Sequence, residues 1–96
     1  MSGGDWKAFF KGVQDGDIEL VGYYLRMGID PNYQHPEEMT SPLLESIRKN
    51  HIDIAKLLLD NGADPSIRGV MEGKNPREVA EGLGNGAALD LLAHYE

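Results

Sequence analysis

The sequence predicts an all-α protein made of three similar helix–turn–helix units in series. Two observations carry this reading. First, turn residues and leucines return at one offset. Stepping 34 residues takes Leu25 to Leu59, Gly28 to Gly62, Asp30 to Asp64, Pro31 to Pro65, Ser41 to Asn75, Pro42 to Pro76 and Leu58 to Leu92. A fixed period of this size marks stacked units rather than one irregular domain. Second, the apolar runs inside each unit have helical spacing but extend for only about ten residues, too short to be stable alone in water. They must pack on one another.

Residues 1–96 are expected to form a single domain, with units at roughly 5–34, 35–68 and 69–96 and a flexible leader at 1–4. The first unit opens with a helix from Asp5 to Asp15. Its Trp6, Phe9, Phe10 and Val13 stand at i, i+3, i+4 and i+7, one apolar face, with Lys7 and Lys11 off it. Asp17 caps the partner helix, whose buried stripe is Ile18, Leu20, Val21, Tyr24 and Leu25; Tyr23 and Arg26 are left for the exposed side. Gly28 ends that helix. The connection from Ile29 to Thr40 holds Pro31 and Pro36, is long for a helix–helix link, and reads as a projecting finger.

The second unit is the clearest. Ser41 is a good N-cap, and Pro42 follows at the first helical position, where a missing N–H costs nothing. Leu43, Leu44 and Ile47 recur at helical spacing, while Glu45, Arg48 and Lys49 point elsewhere. Asn50 can take the left-handed conformation that ends a helix. The next helix carries Ile52, Ile54, Ala55, Leu57, Leu58 and Leu59, and Gly62 with Asp64-Pro65 stops it. A second finger spans Ala63 to Lys74. The third unit starts at Asn75-Pro76-Arg77-Glu78, a capping-box arrangement, and runs to Gly82 or Leu83. A loose Gly84-Asn85-Gly86 turn leads into a last helix from Ala87 to Tyr95. Its side chains are smaller, so this end is expected to fray first.

The formal charge of −7 and pI near 4.8 argue against nucleic acid and anionic membrane surfaces as partners. There is no cysteine, which excludes thiolate catalysis, disulfides and cysteine-ligated zinc, and which fits the cytoplasm. No apolar run is long enough for a membrane span, and the N-terminus lacks the pattern of a secretory signal. No catalytic motif is present. His35, His51 and His94 are far apart, and Glu37-Glu38 lie side by side on a loop without the enforced geometry of acid–base catalysis. No enzyme activity, cofactor or metal site is expected.

The second unit resembles an ankyrin repeat. The family's Thr-Pro-Leu-His, Ala-Ala, Gly-His, leucine run and Gly-Ala-Asp stand here as Ser41-Pro42-Leu43-Leu44, Ser46-Ile47, Asn50-His51, Leu57-Leu58-Leu59 and Gly62-Ala63-Asp64. The first unit matches through Gly16-Asp17-Ile18-Glu19 and Gly28-Ile29-Asp30-Pro31-Asn32, the third through Asn75-Pro76, Val79-Ala80 and Leu91-Leu92. The period is 34 against the family's usual 33, so each finger is expected to carry one extra residue.

The resemblance implies an ankyrin-repeat solenoid, with inner helices lining a concave face and finger loops projecting from it. It implies a monomeric module that binds another protein through that face. Carried over by position, the contact candidates are Gln34, His35, Glu37, Glu38 and Thr40 in the first finger and Arg68, Met71, Glu72 and Lys74 in the second. Gln14, Asp15, Arg48, Lys49 and Leu83 are the candidates at the inner-helix ends. Arg48 and Lys49 stand out as residues of the second unit that the fold does not need. An alternative is an acidic inhibitor or immunity-type protein that blocks a basic toxin or enzyme through Glu37, Glu38 and Glu72.

Overall fold

Six helices follow one another in a computed structural model that describes residues 3–96. They are α1 (Gly3–Asp15), α2 (Ile18–Arg26), α3 (Pro42–Arg48), α4 (Ile52–Asp60), α5 (Pro76–Leu83) and α6 (Gly86–Ala93). Each consecutive pair packs as a hairpin: α1 on α2, α3 on α4, α5 on α6. The hairpins then stack side by side, so that α1, α3 and α5 form an inner row and α2, α4 and α6 an outer row. The body measures 34 × 25 × 21 Å. No strand occurs among the described residues.

The sequence period reappears as a period in backbone geometry. The turns inside the three hairpins place Gly16, Asn50 and Gly84 at φ of 78°, 60° and 65°. The stops after the first two outer helices place Gly28 and Gly62 at φ of 93° and 97°. Positive φ is free for glycine and tolerable for asparagine, so the chain reverses at these points with little strain. Met39 and Gly73, again one period apart, share φ of 57° and 65° near the finger ends. The caps follow the sequence too. Asp17, Ser41 and Asn85 each accept a hydrogen bond from the backbone N–H three residues on, and Asn75 and Glu78 form the reciprocal capping box.

The core lies between the two rows. Trp6, Phe9, Phe10 and Val13 are all buried, as their spacing requires, together with Leu43, Leu44, Ile47, Ile54, Leu58 and Leu92. Gly12, Ser46 and Ala80, also one period apart, are buried where inner and outer helices approach closely. A side chain at residue 12 would crowd Leu20 and Val21. Ser46 turns its hydroxyl back to donate to the Leu43 carbonyl at 2.7 Å, so a serine serves where the family pattern has alanine.

Three expectations change. The sequence predicts a leader at residues 1–4, but α1 already includes Gly3 and Gly4; Met1 and Ser2 lie outside the described residues. Spacing puts Ile18 in the buried stripe of α2, yet it is exposed, because only Val21 and Gly22 of that helix are fully covered by the adjacent α1 and α4. The last helix begins at Gly86 and ends at Ala93, since the Asn85 side chain caps it one residue earlier than expected.

Candidate functional site

The nominated residues fall along the face made by the inner-helix ends and the two fingers, and they divide by what the fold does with them. At the centre, Glu45 of α3 is buried although its place off the Leu43, Leu44 and Ile47 stripe predicts exposure. Its Oε2 accepts from Gln14 Nε2 of the first unit at 2.9 Å, and its Oε1 accepts from Arg48 Nε at 3.2 Å. Arg48 donates from Nη2 to Thr40 Oγ1 at 2.8 Å and from Nη1 to Glu72 Oε2 in the second finger. Thr40 Oγ1 in turn donates to Glu72 Oε2. One half-buried guanidinium, 31% exposed, therefore joins two carboxylates and a hydroxyl from three parts of the chain.

This overturns the expectation that the fold does not need Arg48. Charge-assisted bonds in a partly desolvated setting are strong, and removing the cation would strand Glu45 and Glu72. The other Glu72 oxygen, Oε1, is buried against Gly69, where no side chain could fit, and has no donor among the described residues.

The fingers are stitched together by two amides. Asn32 donates to the Gly62 carbonyl at 3.0 Å and accepts from the Asp64 N–H at 2.8 Å. Gln34 donates to the Arg68 carbonyl at 2.9 Å and accepts from the Val70 N–H at 2.8 Å. Gln34 thus uses both ends of its amide inside the fold. His51 plays a similar part between the turns of the first two hairpins. Its Nε2 lies 3.0 Å from the Gln14 carbonyl, which can only accept, so Nε2 carries the hydrogen. It occupies the N-cap position of α4 but makes no capping bond with its side chain.

The remaining candidates stay nearer to solvent. Asp15 pairs with Lys11 at 3.0 Å, and Glu37 with Lys7 at 3.4 Å. His35 stacks on Trp6, with ring centres 5.1 Å apart, and its Nδ1 accepts from the Glu37 N–H. His35, Glu37 and Glu38, with Trp6, Phe10 and Gln14, border a recess of about 140 Å³ between α1 and the first finger. Arg68 donates to the Gly73 carbonyl and pairs with Glu78. The Glu78 carboxyl is held below its ordinary pKa, first by the Asn75 backbone N–H and then by the charge of Arg68. Glu38, Lys49 and Lys74 have exposed side chains that make no ion pair among the described residues. Met71 and Leu83 are 70% and 54% exposed.

A second recess, about 310 Å³, opens between α3, the second finger and α5. It is lined by Arg48, Glu72, Lys74, Glu78, Val79, Gly82 and Leu83. Gly82 explains it. This is the position of Gln14 in the first unit and Arg48 in the second, and here the side chain is missing, with open space beyond. Glu45, Asn32 and Gly82 were not singled out from sequence. Glu45 had one signal, its i,i+3 spacing from Arg48; Gly82 had another, its register with Arg48.

Among the described residues no three histidines or carboxylates converge into a metal-holding cluster, and no helix is long and apolar enough to cross a membrane. Comparison with known proteins agrees with the architecture. A family model described as "Ankyrin repeats (many copies)" matches residues 6–59. The chain is 40% identical over 58 residues to the 2-5A-dependent ribonuclease of Homo sapiens, covering 60% of this chain and 8% of that protein. It is 41% identical over 58 residues to the putative ankyrin repeat protein FPV222 of Fowlpox virus, with the same coverage. It is 29% identical over 87 residues to the putative ankyrin repeat protein R598 of Acanthamoeba polyphaga mimivirus, covering 91% of this chain and 27% of that protein. The chain thus spans less than a third of each of these relatives. With six helices in two rows, a shared turn geometry at a fixed period and a family match over more than half its length, the chain belongs to the ankyrin-repeat family.

Proposed function

We propose that this protein is a non-catalytic, monomeric recognition module that binds another protein through the fingers and inner-helix ends. Ankyrin repeats as a family mediate protein–protein interaction. The observation that carries the reading is the split along this face. Asn32 and Gln34 hold the two fingers to each other, and Glu45, Arg48 and Glu72 hold the second finger to α3, so the surface is set before anything binds. Beside them the side chains of Glu38, Lys49, Met71, Lys74 and Leu83 are exposed and make no hydrogen bond or ion pair among the described residues. A preorganised surface loses less conformational entropy on binding. The absence of cysteine supports a reducing compartment such as the cytoplasm.

The inhibitor reading is less favoured. Of its three carboxylates, Glu37 faces Lys7 and Glu72 faces Arg48, which leaves Glu38 alone to attract a basic partner.

The test is capture of a partner from native extract, followed by surface variants. Glu38→Lys with Met71→Asp should abolish the complex and leave the melting temperature unchanged. Glu19→Lys with Asp90→Lys, on the outer helices, should leave the complex intact. The reverse pattern would place recognition on the outer row and overturn the proposal.

A further inference from the structure

We infer that Asn61 is a self-modification site, whose slow conversion to isoaspartate unties the first finger from the second. The chain holds two Asn-Gly dipeptides, Asn61-Gly62 and Asn85-Gly86. A glycine after asparagine has no Cβ to keep its backbone nitrogen away from the asparagine side chain. In the reaction the Gly62 nitrogen gives up its proton to water and attacks Asn61 Cγ. The new N–Cγ bond closes a five-membered succinimide, and Nδ2 leaves with a proton as ammonia. Water then opens the ring. Cleavage at Cγ gives aspartate; cleavage at the backbone carbonyl carbon gives isoaspartate, whose main chain runs through Cβ. One water is consumed and one ammonia released, with no oxidant or cofactor.

The two dipeptides are equal in sequence but not in the fold. Asn85 is half-buried and uses both ends of its amide. Its Oδ1 accepts from the Ala88 N–H at 3.1 Å, capping α6, and its Nδ2 donates to Asn50 Oδ1 at 3.1 Å. Reaction there must break a helix cap and a bond between two units. Asn61 is exposed and follows the end of α4. One side-chain bond holds it, from Nδ2 to the Leu57 carbonyl at 2.8 Å. The Gly62 N–H donates to the Leu59 carbonyl at 3.3 Å, the longest bond of a turn whose others are 3.1 and 2.9 Å. A Cβ at Gly62 would meet nothing within 4 Å, so the surroundings leave the turn room to move. The planar ring needs Cβ and the Gly62 nitrogen eclipsed, so Asn61 ψ must rotate from its present 22°. That rotation breaks only the exposed bonds just named, a small local opening.

The consequence is set by what Gly62 holds. Its carbonyl accepts from Asn32 Nδ2 at 3.0 Å, and Asn32 Oδ1 accepts from the Asp64 N–H at 2.8 Å. Isoaspartate at residue 61 lengthens the main chain by one carbon just ahead of that carbonyl and moves it off Asn32. The new carboxylate also stands beside Asp60 at the C-terminal end of α4, where the helix dipole is already negative. Aspartate adds the same charge but keeps the main-chain length. Met27 and Tyr95 hold the equivalent positions of the other units, so the site belongs to the central unit alone.

The test is incubation of the whole folded chain in mildly alkaline buffer, with peptide mapping by mass spectrometry. Electron-transfer fragmentation separates isoaspartate from aspartate. Residue 61 should convert several-fold faster than residue 85. In urea the two rates should converge, since only the fold distinguishes them. Asn61→Gln should suppress the reaction at this site. In the aged chain the amide signals of Asn32, Gly62 and Asp64 should shift, whereas fresh Asn61→Asp should leave those of Asn32 and Asp64 in place. Conversion at residue 85 that keeps pace with residue 61 in the folded chain would overturn the inference. So would isoaspartate at residue 61 with Asn32 and Asp64 unshifted, or a folded chain still intact at residue 61 after the urea sample has reacted.

Discussion

From Thr40 to Ile47 every residue of the second unit is buried; over the equivalent stretch of the third, Lys74 to Glu81, only Pro76, Val79 and Ala80 are. The two stretches have the same helix start, a cap followed by proline. They differ in neighbours. Helix α3 is packed between α1 and α5, whereas α5 has α3 on one side only. The residues record this difference. Leu43, Leu44 and Ile47 correspond to Arg77, Glu78 and Glu81, so the far side of α5 is charged where α3 is apolar. Position in the stack decides what one template must carry. The central unit supplies stability, and the third can afford a gap at Gly82 because less of the core depends on it.

The largest test of this contrast is a pair of cavity variants. Leu58 and Leu92 are equivalent and both fully buried. Leu58→Ala should destabilise by roughly 2–5 kcal/mol and unfold the whole chain, because no half of the stack can stand without the centre. Leu92→Ala should instead loosen the third unit first. Amide exchange resolved by residue separates the two: if α5 and α6 open no earlier than α3 in the Leu92 variant, the stack does not have this gradient.

Next in size is the guanidinium at the centre. Arg48→Ala strands Glu45 and Glu72 and should lower stability by about 1–3 kcal/mol, while Lys49→Ala should stay within about 0.5 kcal/mol. Urea unfolding of both compares adjacent residues that look alike in sequence. Equal effects would show that the Arg48 bonds contribute nothing net.

A smaller change of opposite sign is expected at the third unit. Gly82→Ala adds a methyl group to open space in a helix and should stabilise by about 0.5–1 kcal/mol, read as a rise in the urea midpoint. A loss of stability would mean that the recess is less open than it appears.

The weakest effect is with pH. Asp60 is held below its ordinary pKa by hydrogen bonds from Lys56 and then Tyr95, and Glu78 by the Asn75 N–H. For carboxyls depressed in the folded state, the stabilisation is present above the unfolded pKa of about 4 and disappears as pH falls through the folded value. Both are exposed, so solvent screens them. Melting curves from neutral pH into this acid window should therefore slope gently, and Asp60→Asn with Glu78→Gln should flatten the slope.

Much of the architecture was legible because local chemistry and repetition agree. Pro42 after Ser41, Gly28 and Gly62 after their helices, and the aromatic stripe of Trp6, Phe9, Phe10 and Val13 each have one physical reading, and the period of 34 multiplies it. The candidate face was only partly legible. Position marked Arg48, Gln34 and Glu72 as contacts, and the structure uses all three internally. Lys49, a chemical near-twin beside Arg48, is left unpaired. Glu45 stands within one helical turn of both, so the partner that separates them is Glu72, 24 residues from Arg48 in the chain.

Sequence alone determined the unit, its period, its helix boundaries to within a few residues and its all-α class. These follow from backbone conformation and hydrophobic spacing, which are short-range. Only the tertiary structure decided which polar side chains are structural and where a missing one leaves a recess. Those outcomes depend on how successive units face each other across the stack, and a single unit does not contain that information.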